Sequence, residues 1–252
     1  MPEEIILETR GVSKRFDGFT AVSGVNYRLR EGEAAGIIGP NGAGKTTFFN
    51  LLTGMFPPSE GTVLYRGADI TRVPAHRRVC RGIIRTFQLV SVFDRLTVGE
   101  NLVLALIRAV KGRAARPGFF LSDAWSGTLS EPCDKALGMV GLREKALWKT
   151  SELSYGDKRK LEIALALCLR PDVLLLDEPF AGLSDVEIGE VLDLIRRVRK
   201  EFTLVIIEHK ISRIVDLVTR LSVMSEGKLI AEGEPGEVLA DPFVRRVYWG
   251  RA

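Results

Sequence analysis

Apolar and polar residues alternate through "EIILETRGVSKRF" and "SGVNYRLREGE", the period-two pattern of half-buried strands, so the opening predicts short antiparallel strands with turns. At "AAGIIG" (34–39) alternation gives way to an apolar run, which predicts a buried strand, followed at once by a glycine-rich loop and the helical stretch "KTTFFNLLTG". "PPSEGTVLYRGADI" reads as turn, strand, turn, and "GIIRTFQ" (82–88) as another strand with Gln88 at its end. From residue 89 to about 155 the texture is helical, "TVGENLVLALIRAV" and "CDKALGMVGLREKA", around the irregular "KGRAARPGFFLSDAWSGTLSEP". "DVLLLDEP" and "TLVIIEH" then read as buried parallel-sheet strands. Ile188, Val191, Leu192, Ile195 and Val198 mark one helical face between them; Ile211, Ile214, Val215 and Val218 mark another after His209. "RLSVMSEGKLIAEGE" closes this part as a hairpin. The expected layout is an α/β core over 1–88 and 156–235, a helical insert over 89–155 and a C-terminal tail over 236–252.

Composition narrows the class. At 252 residues, 46% hydrophobic and 27% charged, the chain has the make-up of a globular domain with room for a core. A net charge of +4 fits an ordinary solvated surface, and no nucleic-acid partner is expected. Three scattered cysteines and two histidines speak against a disulfide framework or a typical zinc site. "MPEEIILETRG" carries acids where a signal peptide would be basic, and the longest apolar runs are far below the ~20 residues of a spanning helix.

The chemistry starts at "GPNGAGKT", a GxxxxGK[ST] loop between a predicted strand and a predicted helix. Gly39, Pro40, Asn41, Gly42, Ala43 and Gly44 allow the backbone N–H groups to curl around phosphates, with the helix N-terminus behind them. Lys45 reaches the outer phosphates, the Thr46 hydroxyl is placed for magnesium, and Thr47 for an inner phosphate. "LLLDEP" ends a buried strand with two adjacent carboxylates. Asp177 is placed to hold the metal and Glu178 to orient or deprotonate water. Gln88 after one strand and His209 after another complete a candidate set. "LSYGDKRKLEIALAL" adds a helix with Ser154 as its N-cap and an acid, Asp157, in the first turn.

In this order, Phe16, "GPNGAGKTT", Gln88, "LSYGD", "VLLLDEP", "AGLS" and His209, the chain resembles the ATP-binding subunit of ABC transporters over nearly its full length. The resemblance implies a P-loop core with an antiparallel β subdomain and an inserted helical subdomain. It implies ATP and Mg2+ as cofactors, with Thr46, Gln88 and Asp177 at the metal. Phe16 would stack on adenine with Val22 nearby, Gln88 would sense the γ-phosphate, Glu178 would be the catalytic base, and His209 would hold the γ-phosphate and the attacking water. Ser154, Tyr155, Gly156 and Asp157, with Ser184, would meet the nucleotide of a second cassette in a head-to-tail dimer. Three departures stand out: Tyr155 and Asp157 in the LSGGQ pattern, Ser184 where an acid or amide is common, and Lys210 after His209 where an acid is common. The Asp157 carboxylate is expected to point away from the phosphate and support the first helical turn. Tyr155, the irregular segment and the Tyr248-Trp249-Gly250 ending resemble the branched-chain amino acid importer group. Such an assembly implies two permease subunits and, indirectly, a substrate-binding protein, with the cassette at the cytoplasmic face of the membrane. Alternative readings are a urea, amide or aromatic-acid importer, a lipopolysaccharide-export cassette, a soluble ABC protein of DNA repair or translation, or a P-loop kinase.

Overall fold

In a computed structural model, which describes residues 4–88, 90–111 and 131–249, the alternating opening forms two twelve-residue strands, β1 (Ile5–Phe16) and β2 (Phe19–Arg30). They are longer than the short strands expected because Asp17 and Gly18 adopt φ of 40° and 89°, the left-handed pair of a two-residue hairpin turn, and irregularities of register absorb the mismatches. β4 (Glu60–Tyr65) and β5 (Ala68–Asp69) complete an antiparallel sheet in the order β2-β1-β4-β5. β3 (Ala34–Ile38) leads into α1 (Lys45–Thr53). After α2 (Ala75–Val79) comes β6 (Ile83–Arg85), then α3 (Val98–Lys111), α4 (Glu131–Val140) and α5 (Tyr155–Leu167). β7 (Val173–Asp177), α6 (Asp185–Val198), β8 (Thr203–Ile207) and the hairpin β9 (Arg220–Ser225) with β10 (Lys228–Gly233) follow. α7 (Pro235–Ala240) and α8 (Pro242–Trp249) end the described chain.

The second sheet has the order β10-β9-β3-β8-β7-β6, parallel except for β10. Its central strands are buried on both faces, and alternate residues enter two different cores. Ile38, Leu174, Leu176, Leu204 and Ile206 pack with α4, α5 and α6. Ile37, Val173, Leu175, Val205 and Ile207 pack with α1 and the antiparallel sheet. Three layers result, and the carboxyl ends of β3, β7 and β8 open on one edge, where α/β sheets place their ligands.

Four expectations change. β6 stops at Arg85, so Gln88 lies beyond the strand rather than at its end. The Thr86 N–H still joins Leu175 O at 3.0 Å, but the Phe87 N–H turns to the Glu162 carboxylate at 2.9 Å, which ends the ladder. The helix expected through residue 146 breaks after Val140, where Gly141 takes φ 75° and the Leu142 N–H closes on Leu137 O at 2.9 Å. After His209 there is one 3-10 turn, Ile211–Arg213, instead of an amphipathic helix, because the bonds from Arg213, Ile214 and Leu217 each span three residues. On α6 the buried face includes Leu194, while Leu192 is only half-buried. Residues 112–130 of the irregular segment and Gly250 lie outside the described residues.

Candidate functional site

The loop after β3 is built on backbone proximity. A Cβ at Gly39 would meet Met224 O at 2.3 Å, and one at Gly44, whose φ is 96°, would meet Ala21 O at 2.4 Å. Only glycine fits either place. Lys45 is buried, and its Nζ donates to Gly39 O (2.6 Å) and Pro40 O (2.9 Å), which holds it folded back beneath the loop. Burial pushes its ammonium below the ordinary lysine range, against the opposing pull of Glu178, Asp177 and Glu208. A buried ammonium folded beneath a loop of backbone N–H groups at a helix N-terminus is a site for a phosphate chain.

Glu178 follows β7 at φ 45°, a left-handed conformation unusual for a glutamate, pinned by its N–H on Ile207 O at 3.0 Å. Its Oε2 accepts from Gln88 Nε2 at 2.9 Å, and its Oε1 lies 3.9 Å from His209 Nδ1. Lys45, Gln88, Glu178 and His209 therefore converge from four separate stretches of chain. Thr46 is exposed at the first turn of α1. Asp177, nearly fully buried, accepts from Arg85 Nη2 at 2.5 Å, while Arg85 Nη1 reaches Asn50 Oδ1. Among the described residues no cluster of three His, Cys, Asp or Glu forms a metal cage. Thr46 carries a hydroxyl, Gln88 an amide oxygen and Asp177 a carboxylate, donor types that suit magnesium alongside phosphate and water oxygens, while Asp177 is here paired with Arg85 and the Gln88 amide with Glu178.

Phe16 sits at the end of β1, half-exposed, edge-on to Phe56 with ring centroids 5.4 Å apart and Lys14 Nζ near both rings. Val22 is corrected: its side chain is wholly inside the core against the antiparallel sheet, so it supports the strand end and offers no surface to a base.

Ser154, Tyr155, Gly156, Asp157 and Ser184 form a second cluster whose hydrogen bonds and ion pairs do not reach the Gly39–Thr47 loop. Ser154 caps α5 by accepting the Asp157 N–H at 3.1 Å, as its sequence position predicts. The Gly156 N–H donates to Glu187 Oε1 at 2.9 Å, and Glu187 Oε2 takes the Ser184 N–H and hydroxyl. A carboxylate thus already occupies the anion-seeking end of α5. Tyr155 lies over Gly182, where a Cβ would stand 3.0 Å from its ring. The Asp157 carboxylate is bound by Lys145 (2.5 Å) and Lys160 (2.8 Å). Its negative charge is therefore compensated within the protomer.

Burial raises the Asp157 pKa, but the two lysines outweigh it and leave the carboxyl below the ordinary value of 3.8. A folded-state pKa below the unfolded one means that the stabilisation is complete above that ordinary value and is lost as pH falls through the lowered one. Asp157→Asn is expected to leave ATP turnover within about twofold, because the compensated charge repels nothing, and to cost about 1–2 kcal/mol at pH 7. Urea melts at pH 7 and at a series of lower pH values check this, since the gap between the variant and the parent narrows only as pH falls through the lowered value. A large rise in turnover would show that the charge does oppose a nucleotide.

A family model described as ABC transporter matches residues 22–181, more than half of the chain. The chain belongs to the ABC transporter family. It is an ATP-binding cassette, and it hydrolyses ATP with magnesium. It is 39% identical over 98% of both chains to the high-affinity branched-chain amino acid transport ATP-binding protein LivG of Salmonella typhimurium. It is 37% identical, again over 98% of both, to BraF of Pseudomonas aeruginosa, which carries the same description. Among solved structures, the ADP conformation of MJ1267, an ATP-binding cassette of an ABC transporter, superposes with a TM-score of 0.83 at 32% identity, covering 98% of this chain and 99% of that one. The dimeric cassette MJ0796 bound to ADP and Pi gives 0.76 at 25% identity, covering 91% and 99%. Among the described residues no helix is long and apolar enough to cross a membrane.

Several working residues escaped the motif reading. Arg85 neutralises Asp177, Glu187 fills the α5 terminus, Lys145 and Lys160 bind Asp157, and Arg159 with Glu162 holds the backbone around Gln88. The available signal was a charged residue within an apolar stretch: Arg85 in "GIIRTF", and the Arg159, Glu162 pair three apart in a helix.

Proposed function

We propose that this chain powers a branched-chain amino acid importer as one of two cassettes docked on two permease subunits, which a substrate-binding protein supplies. The observation that carries the reading is that relatives from two bacteria and an archaeon, 35–39% identical over 97–98% of this chain, are all described as branched-chain amino acid transport ATP-binding proteins. Two cassettes would sandwich two ATP molecules, each held by the loop of one protomer and by the Ser154–Gly156 end of the other, where the phosphate would take the Gly156 N–H from Glu187, with Ser184 beside the seam. The solved dimer of a similar cassette supports this pairing.

Within each site, the loop N–H groups and Lys45 hold the phosphates, and Thr46, Gln88 and Asp177 hold magnesium, which neutralises charge on the phosphates when bound. Glu178 accepts a proton from the attacking water. His209 steadies the γ-phosphate, and Phe16 stacks on the base with Phe56 and Lys14 behind it. Phe87, Phe93, Leu147 and Trp148 are exposed, and Phe87 directly precedes Gln88. Apolar side chains open to solvent suit a permease subunit.

Deleting the gene is expected to abolish uptake of labelled leucine, isoleucine and valine, and re-expression of the chain is expected to restore it. Uptake that persists while lipopolysaccharide transport fails, or while urea uptake fails, would reassign the cargo and leave the ATPase chemistry in place.

A further inference from the structure

In a head-to-tail dimer the start of α5 serves the partner's nucleotide, while Gln88 serves the protomer's own. One buried ion pair joins the two. Arg159 and Glu162 lie one turn apart on α5, and both side chains are buried. Arg159 Nη1 donates to Phe87 O at 2.8 Å and Nη2 to Gln88 O at 2.7 Å. The Phe87 N–H donates to Glu162 Oε1 at 2.9 Å, and Arg159 Nη1 closes the ring on Glu162 Oε2 at 2.7 Å. β6 has already ended at Arg85, so the fork of a guanidinium and the edge of a carboxylate do for residues 87 and 88 what the sheet no longer does. The Gln88 side chain then reaches Glu178 Oε2 at 2.9 Å. An unbroken line of hydrogen bonds runs from α5 through the Gln88 backbone to the hydrolytic carboxylate.

As an ion pair, Arg159 with Glu162 is a poor source of stability, since two apolar residues of similar size often serve as well, but its bonds to the backbone of Phe87 and Gln88 are ones that no apolar pair supplies. Its geometry here is specific to another task. A lysine ammonium can reach two successive carbonyls, as Lys45 does, but its donors leave a single nitrogen, whereas the guanidinium holds the Phe87 and Gln88 carbonyls on two separate nitrogens of a rigid fork.

We propose that Arg159 and Glu162 are positioning residues for Gln88, and that through them the end of α5 facing the partner's nucleotide and the protomer's own hydrolytic site move as one body. The inference rests on the reading of Gln88 and of the dimer given above. When α5 shifts on engaging a partner's phosphate, Gln88 is carried with it relative to Glu178. Hydrolysis in one site then depends on occupancy of the other, without contact between the two nucleotides.

The test is a double-mutant cycle on the full chain, reading kcat, KM for ATP and melting temperature for Arg159→Lys, for Gln88→Ala and for both together. Arg159→Lys is expected to bind ATP within about twofold of the parent and to lose about tenfold in kcat, and the double variant to be no slower than Gln88→Ala alone. The pair Arg159→Met with Glu162→Leu removes the ionic clamp while keeping an apolar fill, and it is expected to fold, to bind ATP and to show the same loss in kcat. Losses that multiply in the double variant, or a stable Met/Leu variant with parental kcat, overturn the inference. Parental kcat in Gln88→Ala removes the Gln88 assignment itself, and the inference with it.

Discussion

Glu178→Gln is expected to lower ATP turnover by about 10²–10⁴-fold while ATP binding survives. The amide has the shape of the carboxylate, and its oxygen can still accept from Gln88 Nε2, so the local geometry persists. What disappears is the group that can take a proton from water. Lys45, which sits under the phosphate loop through its bonds to Gly39 and Pro40, is untouched, so the nucleotide has no reason to leave. Phosphate release and nucleotide retention, measured on the same preparation, separate the two effects. Turnover within about threefold of the parent would assign the base elsewhere, with His209 the next group in line at 3.9 Å. An ATP-held dimer of the variant, seen by size-exclusion chromatography, would add direct support for the sandwich.

The largest expected effect on stability belongs to a residue outside the chemistry. Arg78→Met is expected to cost about 3–5 kcal/mol. Arg78 is fully buried, and its guanidinium donates to Leu51 O (2.8 Å) and Leu52 O (2.7 Å) in the last turn of α1, to Ile70 O (2.6 Å) and Thr71 O (3.2 Å), and to Val73 O (2.8 Å). These carbonyls include the negative end of the helix that begins at Lys45. Burial pushes the Arg78 pKa down to about 10, which still leaves it charged at neutral pH. Methionine fills the space and satisfies none of the carbonyls. A urea melt gives the loss, and an accompanying weakening of ATP binding would show that α1 has shifted at its phosphate end. A loss below about 1 kcal/mol would mean that water replaces the guanidinium at those oxygens.

Local chemistry made much of the fold legible. β3, β7 and β8 are short runs of apolar residues, and a strand buried on both faces has that pattern because each neighbour enters a different core. The phosphate loop was readable because its glycines answer to steric demands that no other residue meets. Ser154 was readable as a cap because an N-cap needs a short side chain bearing an acceptor, at one position only. Where the reading missed, a competing partner had intervened. β6 is shortened because Glu162 and Arg159, some 75 residues away, capture the backbone of Phe87 and Gln88. The segment after His209 has helical spacing, but it settles as one 3-10 turn whose bonds to Lys210 O and Ile211 O do not propagate into a helix.

By itself the sequence determined the α/β class, the phosphate loop, the two strand-end carboxylates and the family. Each motif depends on residues close together in the chain, where spacing alone sets geometry, and the family on the order of those motifs along it. The tertiary structure decided how charges are matched. It pairs Asp157 with Lys145 and Lys160, Asp177 with Arg85, and the α5 terminus with Glu187. Such pairings join residues with no common period or spacing, and they exist only once packing has brought their helices and strands within a few ångströms. A carboxylate's charge can be read from a sequence. Whether it faces a substrate or is already compensated by its own protein depends on which distant residues the fold sets beside it.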